Sequence, residues 1–465
     1  MMELSFILFL LLFAGIGAAS VVRRKKSTDD YLIAGRNVSP WLAGLSAVAT
    51  NNSGYMFIGM IGLTYTTGLS SIWLMIGWIT GDLMASLVIM KKVRITSERE
   101  NVHSFGGLLA QWNHNDFNLL RRVTGILTIL FLGAYAAAQF TAGSKALSVL
   151  FGWDLSTGAI IGAGMVLLYS YSGGIRASIW TDAAQSVVMI VSMLMLMWMA
   201  TMHLGTPAEI WSDLTRVTPE YMLWFPEGTW LSSILFVVGW VFAGFGVAGQ
   251  PHIVIRYMAL DNANHIDRFR VYYYAWFIIF YAATVAVGLF ARLLLPEVGS
   301  FDPELALPMI SMQLLPEAMV GLMLAGLFAA TISTADSLIL SCSASITRDL
   351  FPNVKPGYEV TKIATAVVVL AALGFSLSGN KSVFALVLIA WGLLAAAFVP
   401  LLTIYALGKK PSEKMALVMM GAGVTTFLLW RELGLSSLVY EIMPAMIIGF
   451  VVFFLERYMP SKNNP

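Results

Sequence analysis

Charge is what this sequence has least of: Asp, Glu, Lys and Arg make up 12% of its 465 residues, about half the roughly 25% usual in a soluble globular domain. Hydrophobic residues make up 58%, a balance that excludes an ordinary soluble fold and points to a chain solvated by lipid. Cysteine is almost absent, and a lone Cys342 rules out an internal disulfide. Five histidines lie scattered without cysteine partners, so no metal-ligand spacing suggests metal chemistry. A formal net charge of +2 with no long basic patch gives no reason to expect nucleic acid as a partner. Low-complexity tracts are missing too, the 16 Pro and 40 Gly being spread through apolar stretches, so one integral domain over 1–465 is expected.

What is present is a succession of apolar runs. Crossing about 30 Å of hydrocarbon takes roughly 20 residues as a helix, the form that satisfies every backbone group within one segment. Thirteen stretches qualify, with cores near 4–22, 39–65, 70–90, 123–147, 157–173, 179–204, 230–255, 271–291, 318–347, 363–379, 382–408, 415–430 and 437–455. The first is read as an uncleaved span, because Glu3 precedes it and Arg23, Arg24, Lys25 and Lys26 follow it, the reverse of a signal peptide. With the N-terminus outside, the inner loops and helix ends hold 23 of the 28 Lys and Arg. The outer ones hold Lys145, Arg216, Arg292, Lys381 and Arg431, and this bias sets the orientation, with the C-terminus inside.

Two spans look broken. The second is interrupted by Thr50, Asn51, Asn52, Ser53 and Gly54, and the seventh by Gly244, Gly246 and Gly249 before Gln250 and Pro251. Irregular backbone at bilayer depth has to be buried in protein or line a cavity. A matched pair of such spans points to an inverted-repeat transporter with its site between the breaks; tight helix packing through glycine is the alternative. The ninth span carries Ala330, Ser333, Thr334, Ser337 and Ser341 along one face. These hydroxyls form either a ladder for a hard monovalent cation or a small-residue packing seam bonded back to its own helix.

Asp182 and Asp336 lie in apolar spans with no basic residue evidently placed to neutralise them, so a shared cation or proton is one reading and an interfacial, solvated Asp182 another. Asp82 in the third span is read as a packing or inner-cavity residue, and Glu441, at the edge of the last span, as facing water.

The segment YLIAGRNVSPWLAGLSAVATNNSGYMFIG at 31–59 resembles the sodium/solute symporter family, especially its sodium/proline branch. YSGGIRASIWTD at 171–182, GQPHIVIRYMA at 249–259, AGLFAATISTADSLILSCSASITRDL at 325–350 and YEIMP at 440–444 agree in order. The resemblance implies an all-α, LeuT-type fold of about thirteen spans. One extra helix (4–22) would precede a five-helix repeat (39–204), followed by its inverted copy (230–408) and two C-terminal helices (415–455). Carried across, the sodium site would use carbonyls at Ala49, Asn52 and Ala330 with the hydroxyls of Ser333 and Thr334. A second cation site in some relatives maps onto Asp182, Ser333, Asp336 and Ser337, with Asp336 replacing a hydroxyl in some of them.

For the solute, the resemblance implies contacts at Asn51, Ser53, Tyr55, Tyr135, Gln139 and Phe245. Asn51 stands where sodium/proline symporters carry an acid, and Ala243 and Val247 where they place aromatics, which argues against proline itself. An amino acid or small carboxylate suits the positive end of a half-helix; a polyol or sugar is the neighbouring option. The expectation is therefore a Na+-driven symporter of a small organic solute in the plasma membrane, bacterial inner membrane being favoured, with no enzymatic activity. A solute sensor acting with a separate signalling partner and a proton-coupled carrier on the same fold are the competing readings. A channel is disfavoured, since nothing resembles a repeated filter segment.

Overall fold

In the computed structural model, residues 1–22, 25–295, 297–354, 356–379 and 382–456 are described, and among them there is no β-strand. Arg23, Arg24 and Lys381, used above for orientation, lie outside the described residues. The main helices are α1 (Met2–Val21), α2 (Pro40–Gly54), α3 (Ile61–Thr67), α4 (Ile72–Ala85), α5 (Lys91–Arg99), α6 (Asn118–Phe151), α7 (Leu155–Leu204), α8 (Trp230–Phe245) and α9 (Pro251–Ala259). They continue as α10 (Ile266–Leu294), α11 (Glu317–Arg348), α12 (Tyr358–Leu377), α13 (Val383–Ala406), α14 (Glu413–Glu432) and α15 (Ile442–Glu456). Among the described residues nine helical stretches are long and apolar enough to cross a membrane, two of them, 40–99 and 155–204, far longer than one crossing needs.

Each long stretch is bent where a residue departs from helical geometry. α7 turns at Gly174 (φ 58°, ψ −148°), which divides it where two spans are expected to meet. A Cβ at Gly174 would lie 2.4 Å from the Tyr31 carbonyl oxygen, so glycine is required there both by φ and by space. The 40–99 stretch turns at Gly68 (φ 77°), with a Thr64–Ser71 hydroxyl contact of 3.1 Å across the corner.

Burial ranks the helices from centre to rim. The apolar window of α11 is 83% buried and that of α13 78%, against 17% for α1. α11 packs on α6, α7, α2 and α1, and α14 with α15 forms a separate pair against α13. Small residues let backbones meet where lipid offers no hydrophobic driving force. The closest instance joins α4 to α8: a Cβ at Gly81 would lie 1.9 Å from the Val241 oxygen, and one at Gly244 would lie 2.0 Å from the Trp78 oxygen. Gly244, expected to belong to the seventh-span break, is thus a packing glycine.

The two interrupted spans are also tied at one end. Val38, just before α2, exchanges backbone hydrogen bonds with Ala259 (3.2 Å) and Asp261 (2.9 Å), just after α9. The buried Arg94 guanidinium clamps this bridge by donating to Leu260 O (2.6 Å) and Asp261 O (3.1 Å). Because the Gly81 contact is backbone against backbone, Gly81→Ala has no flexible side chain to displace. It is expected to cost about 1–3 kcal/mol or more, read as loss of monodisperse protein or a marked fall in melting temperature in detergent.

Candidate functional site

The second-span break falls at Ser53, whose φ of 30° and ψ of −177° end α2, and a π-helical segment, Tyr55–Met60, carries the chain into α3. Such a break frees polar backbone groups that lipid cannot satisfy, and side chains take them up. Gln139 on α6 accepts from Gly54 N (2.9 Å), the Ser53 hydroxyl accepts from Tyr55 N (3.1 Å), and Tyr135 donates to that hydroxyl (3.2 Å). Four of the expected solute contacts, Ser53, Tyr135, Gln139 and the neighbouring Tyr55, therefore converge on one point of the chain. The seventh-span break runs through a 3₁₀ turn, Gly246–Gly249, to an extended Gln250. Gln250 caps it by donating to Gly246 O (3.3 Å) and Trp391 O (3.0 Å).

The α11 hydroxyl stripe is docked on the first of these breaks. Thr334 Oγ1 donates to Thr50 O (2.9 Å), and the Ser337 and Thr50 hydroxyls are 3.1 Å apart. Ser333 donates to Ala330 O (3.2 Å), Ser337 to Ser333 O (2.7 Å) and Ser341 to Ser337 O (2.9 Å), so part of the stripe does bond back to its own helix. Ala49, Asn52, Ala330, Ser333 and Thr334, the expected sodium ligands, are all buried. Asn52 Oδ1 is buried without a partner while its amide donates to Val48 O (2.7 Å). An oxygen-only, uncharged set of this kind suits a hard monovalent cation.

The expectation that no basic residue neutralises Asp182 is corrected by Arg256 on α9. Its Nη2 lies 3.1 Å from Asp182 Oδ2, both side chains fully buried. The same guanidinium donates to Ser178 Oγ (2.9 Å), Ser46 Oγ (3.2 Å), His252 O (2.6 Å) and Ser337 Oγ. Ser46 in turn donates to Asp182 (2.7 Å), which is thus neither interfacial nor solvated. Arg256 could not be placed from sequence because it lies 74 positions away, on a helix whose angle depends on the Gly246–Gly249 turn. Its guanidinium touches Asp182 and Ser337, two of the four residues expected to hold a second cation. Asp336 Oδ1 accepts from Ser170 (3.1 Å), and its Oδ2 is buried without a partner.

Two further expectations change. Glu441 is 2% exposed and paired with Arg431 at 2.8 Å, so it does not face water. Asp82 is surrounded by donors: Asn51 (3.1 Å), Tyr273 (2.7 Å) and Tyr274 (2.7 Å). Asn51, an expected solute contact, is therefore engaged on the α4 and α10 side of α2. Phe245, at the end of α8, is only partly buried and sits beside the α4 contact.

Beside the Ser53 break lies an aromatic cluster of which the sequence marked only Tyr55. Phe384 stacks on Tyr55 (centroids 5.3 Å, 16°), and Trp78 packs against both Tyr55 (5.6 Å) and Trp391 (4.9 Å). Phe384 separates the break from a cavity of about 570 Å³ that includes Gly59, Lys145, Asp302 and Glu304 in its lining. Glu304 ties this wall together, accepting from Lys145 (2.6 Å), Ser382 (2.9 Å) and Phe384 N (3.0 Å). A phenylalanine within an apolar run carries no pattern that separates a cavity wall from packing.

Two broken spans crossed by a hydroxyl-bearing helix, in an all-helical chain with this many long apolar stretches, define a multi-pass membrane transporter fold. Its architecture matches a Na+-coupled sialic acid symporter in a substrate-bound, outward-open state, with a TM-score of 0.79 at 20% identity over 100% of this chain and 99% of that one. A nucleobase-cation-symport-1 family transporter in a closed conformation is more distant, with a TM-score of 0.55 at 16% identity over 93% of this chain and 96% of that one. The model of the sodium:solute symporter family matches residues 31–423, and the chain belongs to that family. It is 28% identical over 445 residues to the high-affinity proline transporter PutP of Bacillus subtilis, covering 93% of each. It is likewise 28% identical over 456 residues to the sodium/proline symporter of Escherichia coli, covering 94% of this chain and 90% of the relative.

Removing Arg256 strands a fully buried carboxylate, so Arg256→Ala is expected to lower stability by about 3–5 kcal/mol. Asp182→Asn in the same chain is expected to restore part of that loss, and thermal unfolding of the single and double variants in detergent checks the pair.

Proposed function

We propose that this protein is a sodium-coupled symporter that moves a small organic solute by alternating access. The observation that carries the reading is the Thr334 hydroxyl bonded across to Thr50 O at 2.9 Å, which joins the hydroxyl helix to the broken span between the expected carbonyl ligands Ala49 and Asn52. Membership of the sodium:solute symporter family supports it. In this reading sodium is held by the carbonyls of Ala49, Asn52 and Ala330 and the hydroxyls of Ser333 and Thr334, and its charge keeps α2 against α11. Sodium thereby favours the solute-competent state, and by reciprocity bound solute tightens sodium.

Thirteen spans, with 39–204 and 230–408 as inverted repeats between an extra first helix and a C-terminal pair, fit the two interrupted spans and the Gly174 joint. The excess of Lys and Arg on one set of loops argues for N-terminus outside and C-terminus inside. The Lys145–Glu304 wall then faces outward, and Phe384 over Tyr55 acts as the outer plug. A bacterial inner membrane is the location favoured, since the curated relatives named above are bacterial.

The solute site is formed around Ser53, Tyr55, Tyr135 and Gln139, neutral polar groups with aromatic cover, with Asn51 and Phe245 at its α4 edge. A small amino acid or carboxylate fits best, its anionic group meeting backbone amides at a half-helix end. Proline is disfavoured because Ala243 and Val247 put small aliphatic surface where an aromatic wall is expected.

A second cation at Asp182, Ser333, Asp336 and Ser337 requires Arg256 to move away from Asp182 and Ser337. The unpartnered Asp336 Oδ2 favours a proton carried at that carboxyl as the alternative coupling ion.

A thermal-shift screen of amino acids, organic acids and sugars, each with sodium or choline, is expected to return a ligand that stabilises only with sodium. For that ligand, Ser333→Ala with Thr334→Ala is expected to abolish sodium-stimulated uptake into proteoliposomes. Full stimulation in the double variant would refute the sodium site, and uptake driven by a proton gradient without sodium would favour coupling at Asp336.

A further inference from the structure

Asp82 stands apart from the machinery described so far. It lies in α4, is fully buried, and accepts hydrogen bonds on both oxygens: Oδ2 from Asn51 Nδ2 (3.1 Å) and Tyr273 Oη (2.7 Å), Oδ1 from Tyr274 Oη (2.7 Å). All three donors are neutral. The nearest guanidinium on the facing helix, Arg270, is spent one turn away on Ser86 Oγ (2.9 Å), Ser86 O (2.6 Å) and Asp267 (2.5 Å). No ion pair to Asp82 occurs among the described residues. An ionisable group kept at this depth without a basic partner is expensive and calls for a function.

The carboxylate reaches the cation site through Asn51. The Asn51 amide is fixed twice, to Asp82 and to Tyr273 Oη (2.5 Å), while its own Oδ1 is buried without a partner. Asn51 lies between Ala49 and Asn52, whose carbonyls are the expected sodium ligands, and directly follows Thr50, whose carbonyl takes the Thr334 hydroxyl. Holding that side chain fixes the rotation of the last turn of α2 before the Ser53 break, and with it the direction of those carbonyls. All three hydrogen bonds come from neutral groups, so no counter-charge offsets the carboxylate.

We infer that Asp82, braced by Tyr273 and Tyr274, is a positioning residue for the sodium site: it orients the broken span through Asn51 and supplies the negative charge that the uncharged ligand set lacks. The inference rests on the sodium reading above. A uniform packing role for Asp82 would need its shape but not its charge, and that difference is measurable.

The test is a sodium titration of thermal stability with the purified full chain, choline replacing sodium at constant ionic strength. Two unit charges on the order of 10 Å apart in a medium of effective dielectric near 20 are worth about tenfold in affinity or more. Asp82→Asn, which keeps the shape, is therefore expected to raise half-saturating sodium at least about tenfold. Asp82→Glu, which keeps the charge, is expected to stay within about threefold of wild type. Tyr274→Phe, which removes one donor from the carboxylate, is expected to raise half-saturating sodium about threefold. With the solute found by the screen, the Asp82→Asn effect on sodium half-saturation should exceed its effect on solute KM at saturating sodium. An Asp82→Asn value within about twofold of wild type overturns the inference. Should that variant fail to fold, an unchanged Tyr274→Phe overturns it instead. Wild-type protein that sodium does not stabilise overturns the sodium reading and this inference together, an outcome visible before any variant is made.

Discussion

The structure turns on how the freed backbone at Ser53 is satisfied. A helix interrupted in hydrocarbon exposes amides and carbonyls that have no water to meet, and each neighbour at this break answers one of them. Gln139 takes the Gly54 amide, the Ser53 hydroxyl takes the Tyr55 amide, and Thr334 reaches the Thr50 carbonyl. The same groups that make the break tolerable are those expected to bind cargo, so stability and transport draw on one set of polar atoms. Several of these atoms are left over: Asn51 Oδ1, Asn52 Oδ1, Tyr55 Oη and Gln139 Nε2 are buried and without partners. Buried polar atoms without partners occur elsewhere in the chain too, but here four of them stand beside freed backbone, where a polar ligand would satisfy them.

Much of this architecture was legible in the sequence because apolar length and helix-breaking composition are local properties. The interruption at Thr50–Gly54 and the one before Gln250–Pro251 fall where the composition placed them, and the division near Gly174 separates two apolar runs counted apart. Local patterns fail for contacts made across the bundle. Arg256 reads from sequence as one more basic residue near a helix end, and only the path of α9 after the Gly246–Gly249 turn brings it to Asp182. Asp82 reads from sequence as a packing or inner-cavity residue because its partners come from α2 and α10, nearly two hundred positions away for the tyrosines. Glu441 reads from sequence as facing water because nothing local shows that Arg431, on the preceding helix, covers it. Phe384 left no trace at all, since in an apolar run a ring that plugs a path and a ring that fills a core are written with the same letter.

Charge is distributed with similar economy. Asp182 shares a guanidinium, Asp336 keeps one oxygen free, and Asp82 is held by neutral donors alone. Three fully buried carboxylates thus stand in three electrostatic situations, each set by partners on different helices. Movement of any of those helices changes the charge balance of the interior as well as its shape, which is the physical link a coupled carrier needs between ion binding and conformation.

The glycine contact between α4 and α8 bears on how such movement is shared out. Where Gly81 meets the Val241 carbonyl and Gly244 meets the Trp78 carbonyl, main chain rests on main chain and no side chain stands between to act as a bearing. Two rods meshed in this way cannot slip along one another or roll apart without losing the whole contact. They are geared together, so the contact holds α4, which carries Asp82, and α8, which leads into the second break, as one unit.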